Sequence, residues 1–124
     1  MIKVNEIAFT GYPVTDLKRA RHFYETILGL KPSKVFGDEK SAWIEYDIGP
    51  NTLSIGNGAP DWKPSSGGAA VGLEVEDFAA TVAALKSNGV AFRFEPMETP
   101  VCHMAVISDP DGNSLVIHKR KSLK

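Results

Sequence analysis

Cysteine occurs once in these 124 residues, at Cys102, so no disulfide can form within the chain. A single thiol is compatible with a reducing compartment. No run approaches 18 apolar residues, which excludes a membrane-spanning helix. Neither charge dominates: 14 basic residues face 15 acidic ones, for a net charge of -1. Nucleic-acid binding usually needs a clearly basic face, and none is advertised. The Gly-rich phosphate motifs G-x-G-x-x-G and the P-loop are missing, as are C-x-x-C and the nucleophile elbow. The first ten residues lack a long apolar stretch after their basic residue and are not read as a signal peptide. The expected setting is the cytoplasm. What is present is a globular balance, 43% hydrophobic and 23% charged. A chain of this length buries roughly two-thirds of the surface its unfolded form exposes, enough for a real core.

Two helices stand out. From Asp16 to Leu28, Leu17, Ala20, Phe23, Tyr24, Ile27 and Leu28 form one stripe of helical period. Thr15 or Asp16 supplies a cap, and Gly29 a left-handed stop. From Asp77 to Ser87, Phe78, Val82 and Leu85 form a second stripe, capped by Glu76 or Asp77 and ended by Gly89. The remaining segments read as short strands: Ile7–Pro13, Lys34–Phe36, Ser41–Asp47, Thr52–Gly56, Ala69–Val75, Val90–Phe94, Val101–Ser108 and Ser114–Lys119. Asp109–Asn113 is a hairpin signal, and Asn57–Gly68 has the Gly, Pro, Ser and Asn content of a linker.

The two halves match. Val14-Thr15-Asp16-Leu17 opens the first helix, and Val75-Glu76-Asp77-Phe78 opens the second 61 residues later. Asn51 and Asn113 close corresponding turns 62 residues apart. Each half reads strand, helix, strand, strand, strand. The expected class is α+β, with two βαβββ modules at about 1–57 and 69–124 joined by a linker at about 58–68.

Val14-Thr15-Asp16-Leu17, Phe23-Tyr24, Leu28-Gly29-Leu30 and Asp109-Pro110-Asp111-Gly112-Asn113, followed by a strand ending Ile117-His118, carry a resemblance to a known group. They resemble the vicinal oxygen chelate superfamily, which includes glyoxalase I, bleomycin- and fosfomycin-resistance proteins and extradiol dioxygenases. The likeness covers nearly the whole chain. It implies a glyoxalase-like fold, with a curled eight-stranded sheet around a cavity. It also implies metal ligands on the first and fourth strands of each module. Those positions fall here on Phe9, Ser54, Ala70 and Val116. None offers the imidazole, carboxylate or thiolate that a divalent metal takes. The expectation is therefore a metal-free member with no cofactor.

The same resemblance turns one side of the last strand into the cavity. His118 lies two residues after Val116 and shares its face. The plain alternative is a wall histidine. With a five-residue loop at Asp109–Asn113, Cys102, Met104 and Val106 join that face, while His103 points outward to solvent. A buried structural thiol is the plain reading of Cys102. Trp43 and Glu45 alternate with Ile44 and Tyr46; the resemblance places Trp43 and Glu45 on the cavity side, against a structural role as core filler and ion-pair partner. Trp62 is unusual in a polar linker, covering the cavity mouth, a second chain or an edge. The basic tail His118–Lys124 reads as a solvated, frayed end.

The leading expectation is a protein that binds a small organic molecule between walls including Phe9, Trp43, Ser54, Met104 and Val116. Catalysis is left open, with His118, Cys102 and Glu45 as candidate proton-transfer groups. The alternative is a metal-dependent lyase or dioxygenase of the glyoxalase I type, using displaced ligands such as Glu45, His103 and His118. The expected partners are a small-molecule ligand and a second copy of the chain in a homodimer, with no nucleic acid and no membrane.

Overall fold

The computed structural model describes residues 1–122. The chain divides into two compact units, Met1–Pro64 and Ser65–Lys124. The first contains β1 (Thr10–Pro13), α1 (Leu17–Arg21), a π-helical turn (His22–Ile27), β2 (Pro32–Gly37), β3 (Ala42–Ile48) and β4 (Asn51–Gly56). The second contains β5 (Val71–Glu74), α2 (Phe78–Ser87), β6 (Phe92–Glu98), β7 (Cys102–Ser108) and β8 (Ser114–Arg120). The eight strands are distributed over two four-stranded sheets, ordered β1-β4-β3-β2 and β5-β8-β7-β6. This is the duplicated βαβββ order in the α+β class. In each sheet the first strand pairs parallel with the fourth, and the other neighbours are antiparallel. No helix among the described residues is long and apolar enough to cross a membrane.

The repeat is visible in individual hydrogen bonds. The Asp16 carboxylate accepts from Arg19 N–H at 3.0 Å, and the Asp77 carboxylate accepts from Ala80 N–H at 3.0 Å. Each aspartate satisfies one of the free donors at its helix start. Val14 N–H donates to Gly56 C=O, and Val75 N–H donates to His118 C=O, both at 2.9 Å. Asp16, not Thr15, and Asp77, not Glu76, are the caps. Gly29 and Gly89 follow at φ of 74° and 73°, a backbone region that costs any other common residue energy.

Each unit buries the helix-side face of its sheet. In the first, Ile44, Tyr46, Leu53 and Ile55 are buried together with Leu17, Ala20, Phe23 and Tyr24. Tyr24 and Tyr46 stack with ring centroids 6.1 Å apart. The Tyr46 hydroxyl donates to Glu25 at 2.8 Å, and Arg21 donates to the same carboxylate at 2.6 Å. Burial, then the Glu25 carboxylate, push the Tyr46 hydroxyl pKa well above its ordinary value. The hydroxyl therefore stays a donor. In the second unit Leu85, Ala105, Ile107, Leu115 and Ile117 are buried.

Four expectations need correction. The first helix is not one α-helix over Asp16–Leu28: from His22 it widens into a π turn, closed by Leu28 N–H on Phe23 C=O at 2.9 Å. An apolar stripe does not distinguish bonding to the fourth residue back from bonding to the fifth. The Tyr24–Tyr46 stack and the Glu25 bonds hold the widened turn. β1 begins at Thr10 rather than Ile7, and Ile7 is exposed. β6 runs on to Glu98 through Pro96, because β6 is an outer strand and its register shifts between Phe94 and Met97. A proline is tolerated at such an edge and bulge. Finally, the tail is tied down as far as Lys121, which bonds Val101 C=O and pairs with Glu98. Leu123 and Lys124 lie outside the described residues.

Tyr46→Phe removes the donor from Glu25 while leaving the ring stack in place. The expected loss is about 1.5–3 kcal/mol, the net value of a hydrogen bond to a charged group. Urea denaturation should show a lower midpoint with an unchanged slope. An unchanged midpoint would mean that water replaces the hydroxyl at no cost.

Candidate functional site

Strand alternation leaves one face of each sheet turned away from its helix. On the first sheet, β3 presents Trp43, Glu45 and Asp47 there. Register places Trp43 beside Phe36 and Gly56, and Glu45 beside Lys34 and Ser54. Ser54 in turn neighbours Gly11 on β1. A row therefore runs Gly11, Ser54, Glu45, Lys34 across four strands, with Gly56, Trp43 and Phe36 in the next row.

Two glycines make room for the indole of Trp43. A Cβ at Gly56 would stand 2.8 Å from Trp43 Cε3, closer than real contacts allow. A Cβ at Gly11 would stand 3.1 Å from Trp62 and 3.4 Å from Trp43. Three aromatic rings gather over this floor. Trp62 stacks on Trp43 with centroids 6.0 Å apart and planes 29° from parallel. Phe9 meets Trp43 edge-on at 5.3 Å. The Trp43 indole N–H donates to Glu45 Oε2 at 2.9 Å, which fixes both the ring and the carboxylate. Beside them lies a cleft of about 420 Å³, lined by Phe36, Ser41, Trp43, Gly56, Ala59 and Trp62 among others. Phe36 is 55% exposed and Phe9 is 50% exposed, so this apolar surface is open to a ligand.

Ser54 is fully buried, and its hydroxyl has no hydrogen-bond partner among the described residues. Trp62 arrives on a turn closed by its own N–H on Ala59 C=O at 3.1 Å. The start of that arm is anchored by Asn57, whose side chain accepts from Ala42 N–H and donates to Lys40 C=O, both at 2.9 Å.

The open face of the second sheet has different chemistry. Register aligns Glu74, His118, Met104 and Met97 in one row, and Gly72, Val116, Val106 and Phe94 in the next. His118 Nδ1 lies 2.6 Å from Glu74 Oε1, and Arg120 N–H donates to Glu74 Oε2 at 2.6 Å. The backbone bond from Arg120, then the bond from His118, hold the Glu74 carboxyl below its ordinary pKa. Cys102 is buried in a turn: its Sγ lies 3.2 Å from Thr99 Oγ1, and its N–H donates to that same oxygen.

Phe9, Trp43, Glu45 and Ser54 thus share the open face of the first unit, and Met104, Val116, His118 and Cys102 share a face of the second. His103 lies, as expected, on the face opposite Cys102 and Met104, but it is half-buried there rather than open to solvent. It lies on the helix side, its ring 5.6 Å from Phe78, because Ala105 and Ile107 on the same side of β7 are buried. Sequence reasoning missed Gly11, Gly56, Phe36, Asn57 and Glu74. The glycines carried a signal, since an isolated glycine in a strand often marks a close approach. Glu74 carried none, because its partner lies 44 residues away.

The implied metal does not fit these residues. Phe9, Ala70 and Val116 have no donor atom in the side chain, and Ser54 has only a hydroxyl. Among the described residues, no three or more His, Cys, Asp or Glu side chains are grouped to hold an ion. Glu45 and His118 are each engaged by a neighbour within their own unit.

The sequence model of the Glyoxalase/Bleomycin resistance protein/Dioxygenase superfamily matches residues 4–117. No curated protein matches the chain. Among solved structures, an antibiotic binding protein from Streptomyces sp. CB03234, TnmS3, is 24% identical with a TM-score of 0.80, covering 98% of this chain and all of that one. A glyoxalase/bleomycin resistance protein from the same Streptomyces is 26% identical, TM-score 0.75, covering 92% of this chain and all of the other. The fosfomycin resistance protein FosX from Listeria monocytogenes is 13% identical, TM-score 0.74, covering 98% and 97%.

Glu74 supplies a pH prediction. Its folded pKa lies below the unfolded value, so its stabilisation is fully present above about pH 4.3. It fades as acid protonates the folded carboxyl. Melting curves of Glu74→Gln and the parent should differ near pH 6 and converge on acidification towards pH 3. A constant gap across that range would show that the Glu74 charge is not involved.

Proposed function

The chain belongs to the Glyoxalase/Bleomycin resistance protein/Dioxygenase superfamily, and within it we propose that this protein binds a small, planar, largely apolar organic molecule on the Trp43 face of the first unit, without a divalent metal. The aromatic cluster of Trp43, Trp62 and Phe9 beside an open, Phe36-lined cleft carries this reading. A flat ring stacks on an indole through dispersion and removal of both surfaces from water. Glu45 adds one oriented carboxylate at the ring edge, which favours ligands with N–H or O–H donors. Similar structures described as an antibiotic binding protein and as a drug-resistance protein support binding of a small molecule of this kind. Met104 and Val116 are proposed as an apolar surface on the second unit's own open face.

One observation favours a second reading, acid–base catalysis by His118. Glu74 engages Nδ1, so Nε2 is the nitrogen that would take or give a proton.

The binding reading is tested with proflavine, a planar diamine, and its effect on the emission of the two tryptophans. Saturable quenching is expected. Trp43→Ala should weaken binding at least 10-fold, the equivalent of about 1.4 kcal/mol of lost stacking and burial. No saturable quenching at millimolar proflavine, or an unaffected Trp43→Ala, would overturn it.

A homodimer belongs to the same proposal. The outer strands β2 and β6 expose Val35, Phe36, Phe94 and Met97, and uncovered edges of this kind pair readily. Light scattering at micromolar concentration should give twice the chain mass of 13.4 kDa. A monomer mass would remove the dimer from the proposal.

A further inference from the structure

The buried hydroxyl of Ser54 has no partner among the described residues, and nearly all buried polar groups have one. Ser54 lies between Gly11 and Glu45 in the row on the open face of the first sheet. Gly11 has no side chain, and the space above it is taken by the ring edges of Trp62 and Trp43. The hydroxyl therefore belongs to the floor of a slot that the two indoles close.

Trp62 is the loosely held member of that pair. Trp43 is part of β3 and bonds Glu45. Trp62 sits mid-arm, 38% exposed, and its indole N–H has no protein partner among the described residues. The arm is pinned at both ends. Asn57 holds one end by its bonds to Ala42 and Lys40. At the other, Ser65 N–H donates to Asn113, and Ser66 C=O accepts from Ser114. Between these anchors, the ring of Trp62 is held by its stack on Trp43 and its seat over Gly11.

Resting on the binding function proposed above, we infer that Trp62 is an internal stand-in for the ligand, and that the ligand displaces it, stacks on Trp43 and hydrogen-bonds the Ser54 hydroxyl. The ligand class follows. It is a planar aromatic molecule about the size of an indole or larger, with a donor at its edge. Ser54 accepts that donor, and the neighbouring Glu45 carboxylate accepts a second. The adjoining cleft, which both indoles line, is the entry route. Such a site discriminates against flat hydrocarbons, because they would leave Ser54 buried and unpaired once more.

The test separates this inference from the binding function. Proflavine affinity is measured by dye fluorescence for the parent, Trp62→Ala, Ser54→Ala and the double variant. Removing a competitor should tighten binding, so Trp62→Ala is expected to bind about 5-fold more strongly. Ser54→Ala should bind about 10-fold more weakly in either background, and its ligand-free form should melt higher, since the unpaired hydroxyl is gone. If Trp62→Ala binds proflavine equally or more weakly, Trp62 is a wall of the site and the stand-in role is overturned, while the binding function stands. An unchanged affinity in Ser54→Ala overturns the anchor. If the parent does not bind proflavine, the binding function itself falls.

Discussion

Everything else in the molecule depends on the period-two alternation of β3 and its neighbours. Ile44 and Tyr46 face the helix and are buried, so Trp43 and Glu45 have to face away. A shift of one residue would bury Glu45 and expose Tyr46. The Tyr24–Tyr46 stack and the bonds of Glu25 to Tyr46 and Arg21 lock that choice. The aromatic face is thus a by-product of a well-packed opposite face, and its rigidity comes from there.

The two units show what duplication preserves and what it releases. The aspartate caps, the Val14 and Val75 bonds and the left-handed glycines recur in both halves, because they hold the helix onto its sheet. The open faces have diverged. The first carries Trp43, Glu45 and Ser54, flattened by Gly11 and Gly56. The second carries Val116, Met104 and a Glu74-held His118. Residues that pack against their own helix constrain one another, whereas residues on an open face answer only to a ligand or a partner.

Most strands and both helix positions were legible from spacing, turn residues and the internal repeat, whereas the five-residue length of the loop at Asp109–Asn113 rested on the resemblance. Asp109 makes that loop locally: its carboxylate accepts from Asp111 N–H and Asn113 N–H at 2.9 Å. The π turn was not, because a hydrophobic stripe does not record which carbonyl each N–H chooses. The extension of β6 through Pro96 was hidden by a residue that forbids a central strand but not an edge. The outward face of His103 was legible, but not its half-burial against Phe78, which comes from another element.

Local chemistry, written in consecutive residues, marked the helix starts and the turns but left Thr15 or Asp16, and Glu76 or Asp77, as the caps. The internal repeat carried the duplicated βαβββ order, and the resemblance alone supplied the metal-ligand positions that fall on Phe9, Ser54, Ala70 and Val116. Pairing between distant residues was decided by the tertiary structure alone. It joined Glu74 to His118, laid Trp62 on Trp43 and left Ser54 buried without a partner among the described residues. Such contacts depend on strand order and on the path of a 12-residue linker, Asn57–Gly68, through space. One residue's neighbours along the chain carry no information about which side chain will arrive from across the sheet.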